Sequence, residues 1–307
     1  MTSLLSGFVA LAWGHLWSAD GIILARSTKS EALGHEIDYL LYLPPSYVAD
    51  GSVRYPVLYL LHGRGDNFRA WTTVKPDVDR LIHEGRVPPF IAVMPDAPSS
   101  RRAGYYVDSE FGGEPGLPPG ETVESAFTGD LVTHIDAEYP TRAVRNGRFV
   151  AGYSMGGYGA LRFALAHPEI FGAAIVLSPA VYVPLPPPDS SAREFGAFGR
   201  GRERFLDETY VAKNYPAILP HFAVKALPLD IFIGVGDDEY ANADPLLARH
   251  DLDYEAHSLY NRLRRVPGIR AELRVIDGGH DWRAWRPLFV EGLVLVLNRL
   301  TRPADPR

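Results

Sequence analysis

A serine surrounded by glycines is the feature of this sequence best suited to chemistry. The pentapeptide GYSMG at residues 152–156 has the pattern G-x-S-x-G, and it follows an apolar segment typical of a strand and precedes one typical of a helix. In that context the pattern predicts a tight turn that lifts the serine hydroxyl above the end of a sheet. Glycine is expected at 152 and 156 because side chains there would collide with backbone, and Gly157 would let the helix pack closely. The alternative is that the glycines only allow a tight turn between strand and helix, and that Ser154 has no catalytic role.

A nucleophilic serine needs a base, and the base needs an acid that orients it. In this context the expected chain order is Ser, then Asp or Glu, then His. Of the ten histidines, His280 fits best, because it follows the last apolar strand in a turn with two glycines. The acid should follow the preceding strand, where Asp237, Asp238 and Glu239 are adjacent. Each of the three is a candidate for the acid, and the two that do not serve are interpreted as residues of a solvated turn.

Two backbone amides are candidates for stabilising the oxyanion of an acyl-transfer reaction. One is the amide of Met155, directly after the serine, and the other is that of Arg64 in the loop LLHGRGDNFRAW (60–71). The same loop holds His62 and Asp66, but no second histidine accompanies them, so a structural role is predicted for His62. The acidic run at 237–239 lacks the D-x-[DN]-x-[DN]-G spacing of a calcium loop. No metal site is therefore predicted.

The elements that must position these residues alternate along the chain. Apolar runs bounded by turn residues predict buried strands, and amphipathic segments between them predict helices. This order predicts an α/β fold with a doubly wound, mostly parallel sheet and helices on both faces, with EIDYLLYLPP (36–45) at an antiparallel edge. The predicted strands are 56–63, 90–96, 148–154, 172–179, 229–236 and 271–277, and the clearest helices are 126–139, 158–166, 251–265 and 282–300.

Two long segments, 97–125 and 183–204, interrupt the alternation. Loops of this length in a compact domain usually line a site or remain disordered. In a doubly wound sheet the ligand crevice lies beyond the carboxyl ends of the strands, where both segments begin. We interpret them as cleft walls or a small lid. Trp71, Tyr105 and Tyr106 would suit an aromatic substrate in that cleft, with simple packing as the alternative.

The overall composition excludes several classes of partner and chemistry. The chain has 307 residues, with 31 basic and 37 acidic side chains and a net charge of −6, so it lacks the basic stripe that binds nucleic acid. Cysteine is absent, which excludes disulfides, zinc–thiolate sites and a thiol nucleophile. The compartment and the oligomeric state stay open.

The N-terminal region is ambiguous. Residues 4–17 are mostly apolar, but no Lys or Arg precedes them and no clear cleavage site follows. The segment is too short to span a bilayer as a helix. We expect residues 1–27 to form an arm packed on the domain, with a degenerate signal segment as the alternative, and residues 28–307 to form one domain.

The motifs together resemble an esterase family of α/β-hydrolases that includes esterase D, the bacterial feruloyl esterases and the mycolyltransferase antigens. The resemblance spans roughly residues 28–300 and is carried by YPVLYLLHG, MPD…YYVDS, GRFVAGYSMGGYGALRFALAHPEIFGAAIVLSPA and GGHDWRAWR. It implies an α/β-hydrolase fold and serine-dependent ester chemistry without metal or cofactor. Ser154, His280 and the amides of Arg64 and Met155 match the family motifs directly.

The acid matches the family less directly. The family usually has G-x-x-D followed by an aromatic residue, and this chain reads GDDEY at 236–240. Counting from Gly236 selects Glu239, counting from Gly234 selects Asp237, and a slip of one residue selects Asp238. We favour Glu239, because Tyr240 then takes the place of the aromatic residue.

The sequence thus predicts a carboxylic-ester hydrolase that acts on a small-molecule ester through an acyl-enzyme. Ser154 would attack the carbonyl carbon, His280 would transfer the proton, and the acid would orient the imidazole. An acyltransferase with the same residues is one alternative, and a catalytically lapsed binding protein of the same fold is another. The acyl and alcohol groups are not determined.

Overall fold

Ten strands and eight α-helices are seen in the computed structural model, which describes residues 20–97, 103–225, 227–240 and 244–301. The strands are β1 (Ile22–Lys29), β2 (Glu36–Leu43), β3 (Val57–Leu61), β4 (Ile91–Pro95), β5 (Glu110–Phe111), β6 (Arg148–Tyr153), β7 (Ala173–Leu177), β8 (Arg200–Gly201), β9 (Leu229–Gly236) and β10 (Ile269–Ile276). The helices are α1 (Lys75–His83), α2 (Val123–Ser125), α3 (Val132–Glu138), α4 (Met155–Ala166), α5 (Asp207–Lys213), α6 (Tyr215–Lys225), α7 (Leu252–Leu263) and α8 (Trp282–Thr301).

Eight of these strands form one sheet in the order β1-β2-β4-β3-β6-β7-β9-β10. β1 pairs antiparallel with β2, and β2 pairs antiparallel with β4, whereas every pair from β4 to β10 is parallel. The predicted fold class is therefore confirmed, including the antiparallel edge. Because β3, β6, β7 and β9 are parallel neighbours, their carboxyl ends meet at one edge of the sheet, where the candidate residues follow them in the chain.

Two hydrophobic clusters cover the two faces of the sheet. Neighbouring residues of a strand point to opposite faces, so Val150 belongs to one cluster while Phe149 and Ala151 belong to the other. The first cluster packs against α3, α4, α6 and α7, and the second against α1 and α8. A sheet covered on both sides explains why the central strands read as continuous apolar runs.

The start of the chain is only partly described. Residues 1–19 lie outside the described residues, so the interpretation of that segment as an arm or a signal stays a prediction. The first described strand, β1, begins at Ile22 and crosses the boundary predicted at residue 28. Within the described ranges, no helix combines the length and the apolar character needed to cross a bilayer.

The two long segments outside the sheet pack against each other. β5 and β8, one from each segment, form a two-stranded parallel sheet. The hydroxyl of Ser109 donates to the carbonyl of Gly196 at 2.6 Å, and the ring of Tyr105 contacts that of Phe198 with centroids 5.4 Å apart. The described residues 103–125 and 183–204 of these segments therefore form one small layer, which we call the lid.

Candidate active site

Ser154 occupies the sharp turn between β6 and α4. Its backbone has φ 57° and ψ −120°, a left-handed conformation that is unfavourable for a residue with a side chain. A Cβ atom on Gly152 would overlap the carbonyl oxygen of Gly156, and a Cβ atom on Gly156 would overlap that of Leu61. The turn is thus pressed against β3 and against itself, which is the physical reason for glycine on both sides of the serine.

His280 and Glu239 complete a hydrogen-bonded chain with Ser154. His280 Nε2 lies 2.9 Å from Ser154 Oγ, and His280 Nδ1 lies 2.7 Å from Glu239 Oε2. A carboxylate can only accept, so the ring donates from Nδ1 and keeps Nε2 free to accept the serine proton. The Glu239 side chain is fully buried, whereas that of His280 is 37% exposed. The imidazole therefore faces the solvent side of the site while its acid is held inside the protein.

The two neighbouring carboxylates point elsewhere. Asp237 and Asp238 are exposed, and they connect the turn after β9 to the glycine turn before His280. Asp237 Oδ1 accepts from the amide of Gly278 at 3.1 Å, and the amide of Asp238 donates to the carbonyl of Gly278 at 3.0 Å. Both aspartates are close to the exposed Asp277, but a cluster of exposed acids does not by itself make a metal site.

Two buried side chains that sequence reasoning missed form a hydrogen-bonded chain that ends on the Glu239 oxygen not bonded to His280. Ser178, directly after β7, donates from its hydroxyl to Glu239 Oε1 at 2.5 Å. Trp285 in α8 donates from Nε1 to Ser178 Oγ at 2.9 Å. A signal for Ser178 was available, because it is a polar residue at the carboxyl end of the strand next to that of Ser154. Trp285 lies in the segment GGHDWRAWR, and no feature of the sequence distinguishes it there from a tryptophan that only packs in the core.

Of the two predicted oxyanion amides, that of Met155 directly follows Ser154 in the chain, and that of Arg64 directly follows Gly63, which lies close to Ser154. Met155 is the first residue of α4, so its amide lies at the positive end of the helix dipole. Arg64 follows Gly63, on which a Cβ atom would lie 3.5 Å from Ser154 Cβ. In the parts of the chain that the structure describes, neither amide donates to a protein acceptor. Both are thus available to an oxygen atom bound beside the serine.

His62 and Asp66 hold the loop that carries Arg64. His62 is fully buried, with Nε2 accepting from the amide of Ala97 at 2.9 Å and Nδ1 2.8 Å from the carbonyl of Gly63. Asp66 Oδ2 accepts from the hydroxyl of Tyr153 at 2.8 Å. These contacts agree with the structural role predicted for His62.

The three aromatic residues predicted to line the cleft are instead buried, which corrects that prediction. Trp71, Tyr105 and Tyr106 are at most 3% exposed. The hydroxyl of Tyr106 donates to the carbonyl of His62 at 2.9 Å, and Trp71 packs against the ring of Tyr153. Tyr105 is covered by the second segment of the lid. These side chains stabilise the walls of the site and offer no face to a substrate.

A buried carboxyl group joins the lid to α7. Glu255 Oε1 accepts from the amide of Val183, at the start of the second lid segment, at 2.8 Å. Burial raises the pKa of Glu255 from 4.5 to about 7, and the guanidinium of Arg262 opposes that rise. The folded state therefore binds this proton more tightly than the unfolded state, so stability from this group is complete below pH 4.5 and is lost as the pH rises through about 7.

We accordingly expect Glu255→Gln to stabilise the protein at pH 8 and not at pH 4.5. Glutamine keeps an acceptor for Val183 without a buried charge, so the free energy of unfolding should rise by about 1–3 kcal/mol at pH 8. Urea unfolding at several pH values measures the difference between the variant and the wild type. Glu208→Gln, at an exposed position of α5, controls for the loss of one charge. An equal pH trend in both variants would contradict the assignment.

Comparisons with known proteins agree with this fold. A family model described as "Putative esterase" matches residues 30–295. An endo-1,4-beta-xylanase/feruloyl esterase of Xylanibacter ruminicola is 34% identical over 178 residues, which are 56% of this chain and 23% of that protein. Esterase Rv1288 of Mycobacterium tuberculosis is 35% identical over 150 residues, 48% of this chain and 30% of the relative. The chain thus spans less than a third of the length of these two curated relatives.

Solved structures share the architecture over nearly the whole chain. A ferulic acid esterase aligns with a TM-score of 0.71 and 24% identity, covering 92% of this chain and 99% of that one. At this level of identity the likeness shows the fold alone, which is that of the α/β-hydrolases.

Proposed function

Because the chain belongs to the family described as "Putative esterase", we propose that it hydrolyses carboxylic esters and that Ser154 forms the acyl-enzyme. The observation that carries this proposal is the hydrogen-bonded chain from Ser154 through His280 to the buried Glu239. It lies at the carboxyl ends of the parallel strands, and among the described residues the amides of Arg64 and Met155 have no protein acceptor. A nucleophile, a base, an orienting acid and oxyanion donors are the groups that acyl transfer requires.

The first half of the reaction acylates the enzyme. Ser154 Oγ attacks the carbonyl carbon of the ester while its proton passes to His280 Nε2. The carbonyl oxygen becomes an oxyanion and accepts from the amides of Arg64 and Met155. When the tetrahedral intermediate collapses, the bond to the alcohol oxygen breaks, and the leaving alcohol takes the proton from His280.

The second half releases the acid. A water molecule gives a proton to His280 and attacks the acyl carbon, and the second tetrahedral intermediate breaks its bond to Ser154 Oγ, which regains the proton. Throughout, Glu239 keeps the imidazole in the tautomer with the proton on Nδ1 and stabilises the imidazolium. Its burial favours this role, because a charge that solvent does not screen interacts more strongly with the neighbouring ring.

Initial rates test which class of ester is the substrate, and product analysis tests whether the acyl group passes to water or to an alcohol. Initial rates are measured on aryl esters from acetyl to long acyl chains and on methyl esters of hydroxycinnamic acids, the last chosen because two relatives carry feruloyl or ferulic acid esterase in their names. The same reactions are repeated with millimolar glycerol as acceptor. We expect free acid as the main product. An excess of acylated glycerol would identify an acyltransferase, and no turnover of any ester would contradict the proposal.

The oxyanion assignment makes a prediction that separates backbone from side chain. Arg64→Ala keeps the amide, so kcat should stay within about tenfold of the wild type. Arg64→Pro deletes the amide, so kcat should fall about a hundredfold or more. Steady-state kinetics on one aryl ester measure both variants, and circular dichroism checks that both are folded. Similar activities would count against this oxyanion site.

A further inference from the structure

The carboxylate of Glu239 is held on both oxygen atoms by different partners. Oε2 faces His280 Nδ1 at 2.7 Å. Oε1 accepts from the hydroxyl of Ser178 at 2.5 Å and from the amide of Gly236 at 2.8 Å. With two donors on Oε1 and one on Oε2, the carboxylate plane has a single orientation that satisfies all three bonds. Its direction toward the imidazole is therefore set from the buried side.

The proton of Ser178 can point in one direction only. The indole Nε1 of Trp285 lies 2.9 Å from Ser178 Oγ, and an indole nitrogen donates but never accepts. Ser178 Oγ must accept there, so its own proton is directed to the other neighbour, Glu239 Oε1. Because Ser178 is fully buried, no water competes for this hydroxyl.

The backbone conformation of Ser178 directs its hydroxyl toward Glu239. Ser178 has φ 42°, in the left-handed region that residues with side chains disfavour, and its amide donates to the carbonyl of Gly234 in β9. The chain thus leaves β7 in an unfavourable conformation that aims the hydroxyl at Glu239. Glutamate has one more rotatable bond than aspartate, so its carboxylate has more conformational freedom. A hydrogen bond from Ser178 to the second carboxylate oxygen therefore restricts a glutamate more than it would restrict an aspartate.

Trp285 contacts the imidazole as well as the serine. Its ring meets that of His280 edge to face, with centroids 4.9 Å apart and planes at 86°. It also stacks on Tyr153, the residue before the nucleophile, with centroids 4.4 Å apart. One side chain of α8 therefore touches the base, supports the turn of the nucleophile and orients the hydroxyl under the acid.

We propose that Ser178 and Trp285 are positioning residues that act through Glu239 and His280. The inference rests on the proposed function, because it assigns these side chains to the Ser154–His280–Glu239 chain. Their hydrogen bonds go to Glu239 and to each other, and not to Ser154 Oγ or His280 Nε2, between which the proton moves. Their effect is to hold the carboxylate, and through it the imidazole, in the arrangement that accepts the proton of Ser154.

The test compares Ser178→Ala, Trp285→Phe and the double variant with the wild type. Each single change should lower kcat for an aryl ester about tenfold to a hundredfold while KM stays within about threefold, because substrate contacts are unchanged. The double variant should lose little more than the worse single variant, since both changes break one chain of bonds. Independent packing roles would instead multiply the two losses, and that result would overturn the proposal.

A matched control exists in Ser30, a second buried serine, whose hydroxyl donates to the carboxylate of Asp130 at 2.6 Å. Ser30→Ala removes the same kind of hydrogen bond without touching Ser178, Glu239 or Trp285, so its kcat should stay within about threefold of the wild type. Thermal unfolding of all variants separates lost activity from lost folding. Wild-type kcat in folded Ser178→Ala would also overturn the proposal.

A second readout does not depend on activity. The proton on His280 Nδ1 should give a downfield NMR resonance, assigned by its loss in His280→Gln. We expect the resonance in the wild type, Ser154→Ala and Ser30→Ala, and expect it shifted or broadened in Ser178→Ala and Trp285→Phe. An unchanged resonance in these last two variants would refute positioning. If the wild type hydrolyses no ester while the resonance responds as expected, the proposed function fails and the positioning stands.

Discussion

Replacement of Ser154 by alanine is expected to lower kcat for ester hydrolysis by about ten-thousandfold or more. Without Oγ no acyl-enzyme forms, and only binding and the oxyanion donors remain to accelerate attack by water. Alanine keeps a Cβ atom in the left-handed turn, so the strain at φ 57° and the packing of the turn against β3 are unchanged. The fold should therefore persist.

Two measurements check this result. Steady-state rates on an activated aryl ester give the loss in kcat, and labelling with a fluorophosphonate reports the nucleophile directly. The wild type should take up one equivalent of label and Ser154→Ala none. Ser27→Ala, at an exposed position of β1, should behave as the wild type in both assays. More than about a hundredth of wild-type kcat in Ser154→Ala would refute the assigned nucleophile.

Replacement of Glu239 by glutamine is expected to lower kcat by about a hundredfold to ten-thousandfold. An amide cannot stabilise the imidazolium, and it cannot satisfy all three donors that the carboxylate accepts. If its oxygen faces Ser178 and Gly236, its NH₂ group meets the Nδ1 proton of His280. If it is turned over, the NH₂ group meets the other two donors. In the first orientation the tautomer with the proton on Nδ1 is disfavoured. In the second, the side chain is no longer held from the buried side, so the position of the imidazole is lost.

Asp237→Asn and Asp238→Asn are the matched controls, because each also changes a carboxylate to an amide in the same turn. Both side chains are exposed, and the oxygen of an asparagine at 237 can still accept from Gly278. Their kcat values should stay within about tenfold of the wild type. A near-normal Glu239→Gln beside an impaired aspartate variant would show that the acid lies elsewhere in the turn.

α6 is not among the clearest helices that the sequence predicts, and it contains Pro220 in its interior. Local rules interpret an interior proline as a break in a helix, whereas packing of Leu219 and Phe222 into the core stabilises α6 regardless. The helix predicted over 126–139 exists, but it begins earlier with α2 and passes through a π-helical turn, Ala126–Leu131, before α3.

The features that the sequence by itself determined are those encoded in neighbouring residues. Continuous apolar runs indicated strands buried on both faces, and glycines on both sides of Ser154 indicated a turn without room for side chains. Chain order then placed a histidine after the last strand and an acid after the one before it. Each of these inferences needs only local sterics and the period of the elements.

Tertiary structure decided what depends on side-chain direction and on contacts between distant segments. The sequence left three adjacent carboxylates, and only folding buried Glu239 against His280 while turning its two neighbours to solvent. Phe198 of the second lid segment packs on Tyr105, and Phe127 and Phe163 pack on Tyr106, so both tyrosines are buried although their positions in a long loop were compatible with a cleft. Ser178 and Trp285 are 107 residues apart, and they meet because β7 and α8 converge beneath the acid. Neighbouring residues in a turn point in different directions. The local sequence pattern therefore specifies where the turn lies, whereas tertiary packing decides which of its side chains faces His280.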